Sequence, residues 1–173
     1  MSAEQPGQRP FTVTRKIRFG QTDPAGIVYY PNYFDMFNEI VEDWFADDLG
    51  YSFDRMHRLE GLGIPIVTIT CDFMAPCRLG ESFELSLSVL QLGATSLHLR
   101  VSGSVAGQER IKASMVLVFT DMTTYQSVPP PEALRALILR RIIAPVEVTN
   151  LKESADGPNT VAAISRGPVY PKH

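Results

Sequence analysis

The sequence predicts an α+β domain in which one long helix packs against the concave face of an antiparallel sheet. Two patterns carry that prediction. One stretch, Asn32 to Leu49, places Tyr33, Met36, Phe37, Ile40, Val41, Trp44, Phe45 and Leu49 three or four residues apart, the spacing of a single buried helical stripe. Five other stretches alternate with a period of two, as strands with one buried face do. The length, 173 residues, corresponds to one domain rather than two.

The elements follow in order. Phe11 to Phe19 is a strand, with Phe11, Val13, Ile17 and Phe19 on one parity. Gly20-Gln21-Thr22-Asp23-Pro24-Ala25-Gly26 is a turn-forming run, because its glycines and Asp-Pro step favour chain reversal over regular structure. The helix then starts near Pro31, which suits a first helical position because its missing N–H would have had no partner there, or two residues later if Asn32 is the cap. Its outer face is acidic (Asp35, Glu39, Glu42, Asp43, Asp47) and Gly50 is a stop. Strands follow at Ile64 to Met74, Phe83 to Leu92, Thr95 to Val105 and Ile111 to Thr120. The links between them at Pro76 to Gly80, Gly93-Ala94 and Ala106 to Gln108 are too short for parallel crossovers, so these strands pair antiparallel. A short helix is expected from Glu132 to Ile143, after Pro129-Pro130-Pro131, and an irregular extension beyond it.

Composition narrows the function. Sixteen Lys and Arg against nineteen Asp and Glu give a formal charge of −3, without the basic excess that binds nucleic acid or an anionic membrane. The first ten residues are polar, and no run approaches the roughly 18 apolar residues of a membrane span, so a cytoplasmic location is expected. Cys71 and Cys77 have neither metal-ligand nor redox spacing; they read as reduced, packed thiols, with a single disulfide as the other reading. His57, His98 and His173 are scattered without a helical pair or a neighbouring cysteine, so no metal site is expected. His98 falls off the apolar parity of its strand and faces away from Leu97 and Leu99. Neither a G-x-S-x-G elbow nor a phosphate-binding glycine loop is present.

Asp23 is the residue to weigh. A carboxylate in a loop before a helix N-terminus lies near unpaired amide donors and the positive end of the helix dipole. Turn chemistry alone also accounts for it, since Asp and Pro initiate turns and Gly26 permits positive φ.

The unbroken string from Phe19 to Tyr33, FGQTDPAGIVYYPNY, resembles the signature of the 4-hydroxybenzoyl-CoA thioesterase family, and the similarity continues through Ile64-Pro65-Ile66-Val67, Cys71-Asp72-Phe73 and Val118-Phe119. The resemblance implies the hotdog fold, a curved antiparallel sheet wrapped around one long central helix, in agreement with the order read from periodicity. It implies hydrolysis of an acyl-CoA to the free acid and coenzyme A with no cofactor or metal. By motif position Asp23 matches the catalytic aspartate, as nucleophile or as general base, and Tyr30 matches the residue whose backbone N–H polarises the thioester carbonyl. Gly26 lets the loop approach the substrate. Ile64 stands where the bacterial 4-hydroxybenzoyl-CoA enzyme has a threonine in its acyl region, and Lys112 retains a basic residue at a matching strand position. Gly93-Ala94-Thr95 replaces the basic cluster that grips the nucleotide end of coenzyme A in that enzyme.

The expected organisation is a flexible N-terminus (1–10), a hotdog thioesterase domain (11–143) and an irregular C-terminal extension (144–173). The family's sites lie between subunits, which implies a homodimer as the minimal unit and a homotetramer as the assembly. The expected substrate is an acyl-CoA, aromatic (4-hydroxybenzoyl-like) or short to medium chain. The missing basic cluster motivates a second reading, a non-catalytic protein that binds acyl-CoA or an acyl carrier.

Overall fold

A computed structural model describes residues 9–143, so the polar N-terminal segment 1–8, His173 and the whole extension from residue 144 lie outside the described residues. Nine short and long elements run in the order β1 (Phe11–Lys16), α1 (Pro31–Asp43), β2 (Leu62–Gly63), β3 (Ile66–Phe73), β4 (Ser82–Leu92), β5 (Ser96–Val105), β6 (Gln108–Val118), β7 (Thr120–Asp121) and α2 (Glu132–Leu139). Five of the strands form one antiparallel sheet in the order β1-β4-β5-β6-β3, and β2 pairs with β7 in a separate two-stranded ribbon.

The alternation read from the sequence is the alternation of burial. Phe83, Leu85, Leu87 and Val89 of β4, Leu97, Leu99 and Val101 of β5, and Ile111, Ala113, Met115 and Leu117 of β6 form the inner face of the sheet. The α1 stripe of Tyr33, Met36, Phe37, Ile40 and Val41 is buried in the same core, while Asp35, Asn38, Glu39 and Glu42 face solvent. Each fully buried side chain of this kind contributes about 1.5–3 kcal/mol relative to an exposed one. No polar or charged residue is buried among the described residues. Arg15 of β1 bridges to Glu39 at 3.2 Å and to Asp43, tying the sheet edge to the polar side of the helix.

Several boundaries differ from expectation. The first strand ends at Lys16, and Phe19 to Gln21 instead make a 3-10 turn, leaving Phe19 exposed rather than in the core. The helix does not stay α-helical to Leu49: from Trp44 to Asp48 it widens into a π-helical turn, which lets the adjacent Trp44 and Phe45 both be buried. The strand expected from Ile64 begins at Ile66, because Pro65 has no N–H to donate. A second π-helical turn, Arg55–Leu59, has no counterpart in the sequence reading. The final helix ends at Leu139, four residues earlier than expected. Arg135 from α2 donates to the Gly93 carbonyl (2.8 Å), and Arg141 beyond it donates to the Asp48 carboxylate (2.6 Å), so this segment straps one end of the sheet to the end of the long helix.

Both cysteines are free thiols, Cys77 buried and Cys71 half-buried on the edge strand. Burial first, and then the neighbouring Asp72 carboxylate, push the Cys71 thiol up to about 11. At pH 8 its alkylation by iodoacetamide is therefore expected to run about a hundredfold slower than that of an ordinary cysteine, since only the thiolate reacts. Mass spectrometric timing of Cys71 modification against that of a cysteine in an unstructured peptide checks this, and denaturant should abolish the protection.

Candidate functional site

The loop between β1 and α1 is built by its own backbone. The 3-10 turn closes with Gln21 N–H on the Arg18 carbonyl (3.0 Å) and Thr22 N–H on the Phe19 carbonyl (3.1 Å). The chain then reverses tightly, with Asp23 N–H donating to the Ile27 carbonyl and Gly26 N–H to the Asp23 carbonyl, both at 2.9 Å. One carboxylate oxygen of Asp23, Oδ1, accepts the Ala25 N–H at 2.8 Å. Its other oxygen has no partner among the described residues, so the half-buried carboxylate caps its turn and keeps one oxygen for something else. The far limb is anchored to the segment before β4: Val28 N–H donates to the Cys77 carbonyl (2.9 Å) and Leu79 N–H to the Gly26 carbonyl (3.1 Å).

Gly26 has φ +73°, and a Cβ built there would meet nothing within 4 Å. The requirement for glycine is therefore conformational and not steric. Gly26→Ala is expected to cost about 1–2 kcal/mol, the penalty of holding an L residue in the left-handed region. Because relief of that strain moves Asp23, the variant should lose more activity than its small shift in thermal midpoint accounts for. Parallel thermal melts and rate assays check this.

At the helix entrance the four N-terminal donors resolve unevenly. Pro31 has none, Asn32 N–H donates to the Tyr29 carbonyl (2.9 Å) and Tyr33 N–H to the Tyr30 carbonyl (3.2 Å). Tyr30 N–H is left without an acceptor among the described residues, at the positive end of α1. The Asn32 side chain holds the entrance in place by donating to the Gln21 carbonyl (2.8 Å), which also accepts Tyr29 N–H (3.0 Å).

Tyr30 opens onto a cavity of about 330 Å³ walled by Ile27, Val28, Tyr33, Phe73 and Pro76. Asp23 lies outside this lining, on the loop whose later residues form its wall. Tyr33 is buried beneath, its ring 5.8 Å from Phe73. Burial, and then the hydrogen bond to the Cys77 side chain, push its phenol well above the ordinary tyrosine value, so it stays protonated.

A second cavity, of about 420 Å³, lies elsewhere on the chain and shares no lining residue with the first. It is lined by Phe53, His57, Gly63, Ile64, Met122 and Tyr125 among others. Three segments distant in sequence meet there because β2 pairs with β7, Leu62 opposite Asp121 and Gly63 opposite Thr120. Tyr125, 80% exposed at its rim, has φ +57°, one of two non-glycine residues with positive φ among those described. Its turn is held by Asp121, whose carboxylate accepts the Thr123 and Thr124 N–H groups at 2.8 Å each and is kept below its ordinary value by them.

The sequence-derived residues thus fall into three places. Asp23, Gly26 and Tyr30 lie on the one segment that leads from β1 into α1. Ile64 lies in the second cavity. Lys112 is on β6 between Ser102 and Asp72 of the neighbouring strands, on the sheet face away from α1, and lines neither cavity. His98 does face away from the core, paired with Val116, its Nε2 3.5 Å from Ser96 Oγ. Phe53, His57, Met122 and Tyr125 were not singled out as site residues. The one local signal was the i, i+4 spacing of Phe53 and His57, whose rings meet edge to face at 5.0 Å.

No helix of the described residues is long and apolar enough to cross a membrane, and no three His, Cys, Asp or Glu side chains among them are grouped to hold a metal ion.

Comparison with known proteins places this geometry in a family. The 1,4-dihydroxy-2-naphthoyl-CoA hydrolase of Rippkaea orientalis is 32% identical over 124 residues, covering 70% of this chain and 89% of that one. The protein of the same name from Synechocystis is 29% identical over 84 residues, a match that spans 49% of this chain and 60% of the relative. The solved 4-hydroxybenzoyl-CoA thioesterase from Pseudomonas sp. strain CBS-3 superposes with a TM-score of 0.68 at 25% identity, over 75% of this chain and 99% of that one. Residues 17–138 match the model of the Thioesterase-like superfamily, and the chain belongs to that family, with the hotdog fold of a curved antiparallel sheet around one long helix.

Proposed function

We propose that this protein hydrolyses an aromatic acyl-CoA to the free acid and coenzyme A. The observation that carries this reading is the presence, on the one segment leading into α1, of a carboxylate oxygen and a backbone N–H that both lack a partner among the described residues, Asp23 Oδ2 and Tyr30 N–H. The first can attack the thioester carbonyl or take a proton from water; the second supplies a donor, at the positive end of α1, where negative charge develops on the carbonyl oxygen. Removing one such donor costs about 3–4 kcal/mol of barrier in other enzymes. Because this one is backbone, Tyr30→Phe should retain most activity. The hydrolases and thioesterase to which the chain is similar are named for hydroxylated aromatic acyl-CoA substrates, which favours aromatic over short or medium aliphatic groups. No cofactor enters this reaction, and the site of action is the cytoplasm.

The acyl group is held by a second copy of the chain. Within one copy the Tyr30 and Ile64 cavities share no lining residue, which supports a site completed by a second copy. β3 ends the five-stranded sheet, and its exposed Val67, with Phe73 and Met74 at its end, leaves an apolar edge that is unpaired among the described residues and suited to such pairing. Lys112 contacts the nucleotide end of coenzyme A from the outer face.

A thiol-release assay over aromatic and aliphatic acyl-CoA substrates, set beside calorimetry with a non-hydrolysable thioether analogue, tests this. Release of free coenzyme A with aromatic preference supports the reading. Saturable analogue binding with no release from any substrate would replace it with the non-catalytic alternative.

A further inference from the structure

The second cavity contains an imidazole that the proposed reaction does not use. His57 projects into it from the π-helical turn Arg55–Leu59, and its ring nitrogens have no hydrogen-bond partner among the described residues. The ring packs edge to face on Phe53, at 5.0 Å. Of the two other polar side chains of the wall, Thr120 has already spent its proton on the Val118 carbonyl (3.0 Å), and Tyr125 stands at the exposed rim. The remaining lining includes Ile64, Pro65 and Met122, so an imidazole able both to donate and to accept looks into a largely apolar space.

The turn that carries His57 is fixed from behind. Arg55 stacks 4.2 Å over the Tyr51 ring and pairs with Glu60 at 2.9 Å, and the buried Tyr51 hydroxyl donates to the same Glu60. Opposite, the left-handed Tyr125 and its Asp121-capped turn present an aromatic ring and Met122 at the rim. A π-helical turn and a non-glycine left-handed residue are both unfavourable alone, and both border this one cavity. Its volume, about 420 Å³, falls within the roughly 300–1,000 Å³ of small-molecule pockets, which combine apolar walls with a few fixed polar groups.

We propose that His57 is the specificity-determining residue of the acyl pocket, hydrogen-bonding a ring hydroxyl of an aromatic acyl group held by Phe53, Ile64, Met122 and Tyr125. This rests on the reading that the chain acts on aromatic acyl-CoA. A substrate with the hydroxyl satisfies the imidazole in a site of low polarity, whereas one without it strands a desolvated nitrogen; sites of this design reject the deoxy analogue. His57 touches the ring and not the thioester, so its effect is on the choice of substrate.

The test uses the full chain and thioether analogues of benzoyl-CoA and 1-naphthoyl-CoA, each with and without a hydroxyl at each ring position, titrated by calorimetry into wild type, Asp23→Asn, His57→Leu and His57→Gln. For at least one ring position the hydroxylated analogue is expected to bind wild type and Asp23→Asn about tenfold or more tighter than its parent. His57→Leu should erase that ratio and His57→Gln should restore part of it, with thermal melts confirming that both fold. Equal affinities for hydroxylated and parent analogues in wild type, or a preference that survives His57→Leu, would overturn the proposal. Coenzyme A release measured on the same wild-type preparation reports separately on hydrolysis: absent release with an intact His57-dependent preference removes the catalytic reading and leaves this one standing.

Discussion

Replacing Asp23 with asparagine is expected to slow coenzyme A release from an aromatic acyl-CoA by about 10²- to 10⁴-fold, the usual contribution of a positioned acid–base group, and by more if the carboxylate is the nucleophile. The substitution isolates charge from structure. Asn keeps an oxygen for the Ala25 N–H, which Asp23 Oδ1 accepts at 2.8 Å, so the turn survives. Asp23→Ala loses both the charge and that hydrogen bond, a further cost of about 1 kcal/mol in stability. Steady-state kinetics should show kcat falling in both variants with analogue affinity preserved in Asp23→Asn, and thermal melts should show a loss only in Asp23→Ala. If activity instead followed stability across the pair, Asp23 would be a turn residue and nothing more.

The second large effect lies in the core beneath the helix. Gly103 on β5 faces inward, and a Cβ built there would lie 2.2 Å from Phe83 Cζ, 2.5 Å from Phe83 Cε2 and 2.8 Å from Ile111 Cγ2. None of these can yield cheaply, because Phe83 and Ile111 are fully buried and Phe83 also packs against Tyr33, ring centroids 6.0 Å apart. Gly103→Ala is therefore expected to destabilise the protein by about 1–3 kcal/mol, the cost of overpacking a dense core. For a chain of this size that lowers the thermal midpoint by several degrees, at about 2–4 °C per kcal/mol. Phe83→Leu alone leaves a cavity and also destabilises. In the double variant the smaller ring site accommodates the new methyl, so the two losses should sum to more than the measured one. Strict additivity in denaturant melts would show that the strain is relieved elsewhere.

The parts of this fold that were legible are those whose burial is periodic. β4, β5 and β6 each present one face to α1, so Leu85, Leu87, Leu97, Leu99, Ala113 and Met115 announce themselves by alternation, and the Tyr33–Val41 stripe does so by helical spacing. The β2–β7 ribbon was not legible, since two-residue strands have no period and their pairing is a tertiary event. The widening of α1 at Trp44 was hidden for a related reason: one extra residue per turn leaves an apolar pattern that still reads as helix. The Asp23 loop could be found because its chemistry is contiguous. The cavity around Ile64 and His57 could not, because it exists only once residues near 55, 63 and 122 have been brought together. The edge strand β3 alternates weakly because one of its long sides faces no other strand among the described residues.

Complementation between two variants tests whether the Asp23 loop of one copy acts on an acyl group seated in the Ile64 cavity of another. Asp23→Asn removes the carboxylate, and Met122→Trp fills the cavity from its half-exposed rim. Each variant alone is expected to be nearly inactive. Co-expressed under two tags and isolated as mixed pairs, they contain one intact site in two, and about half of the wild-type rate of coenzyme A release per pair is expected. Mixed pairs as inactive as either parent would contradict it, placing both halves of the site within one chain.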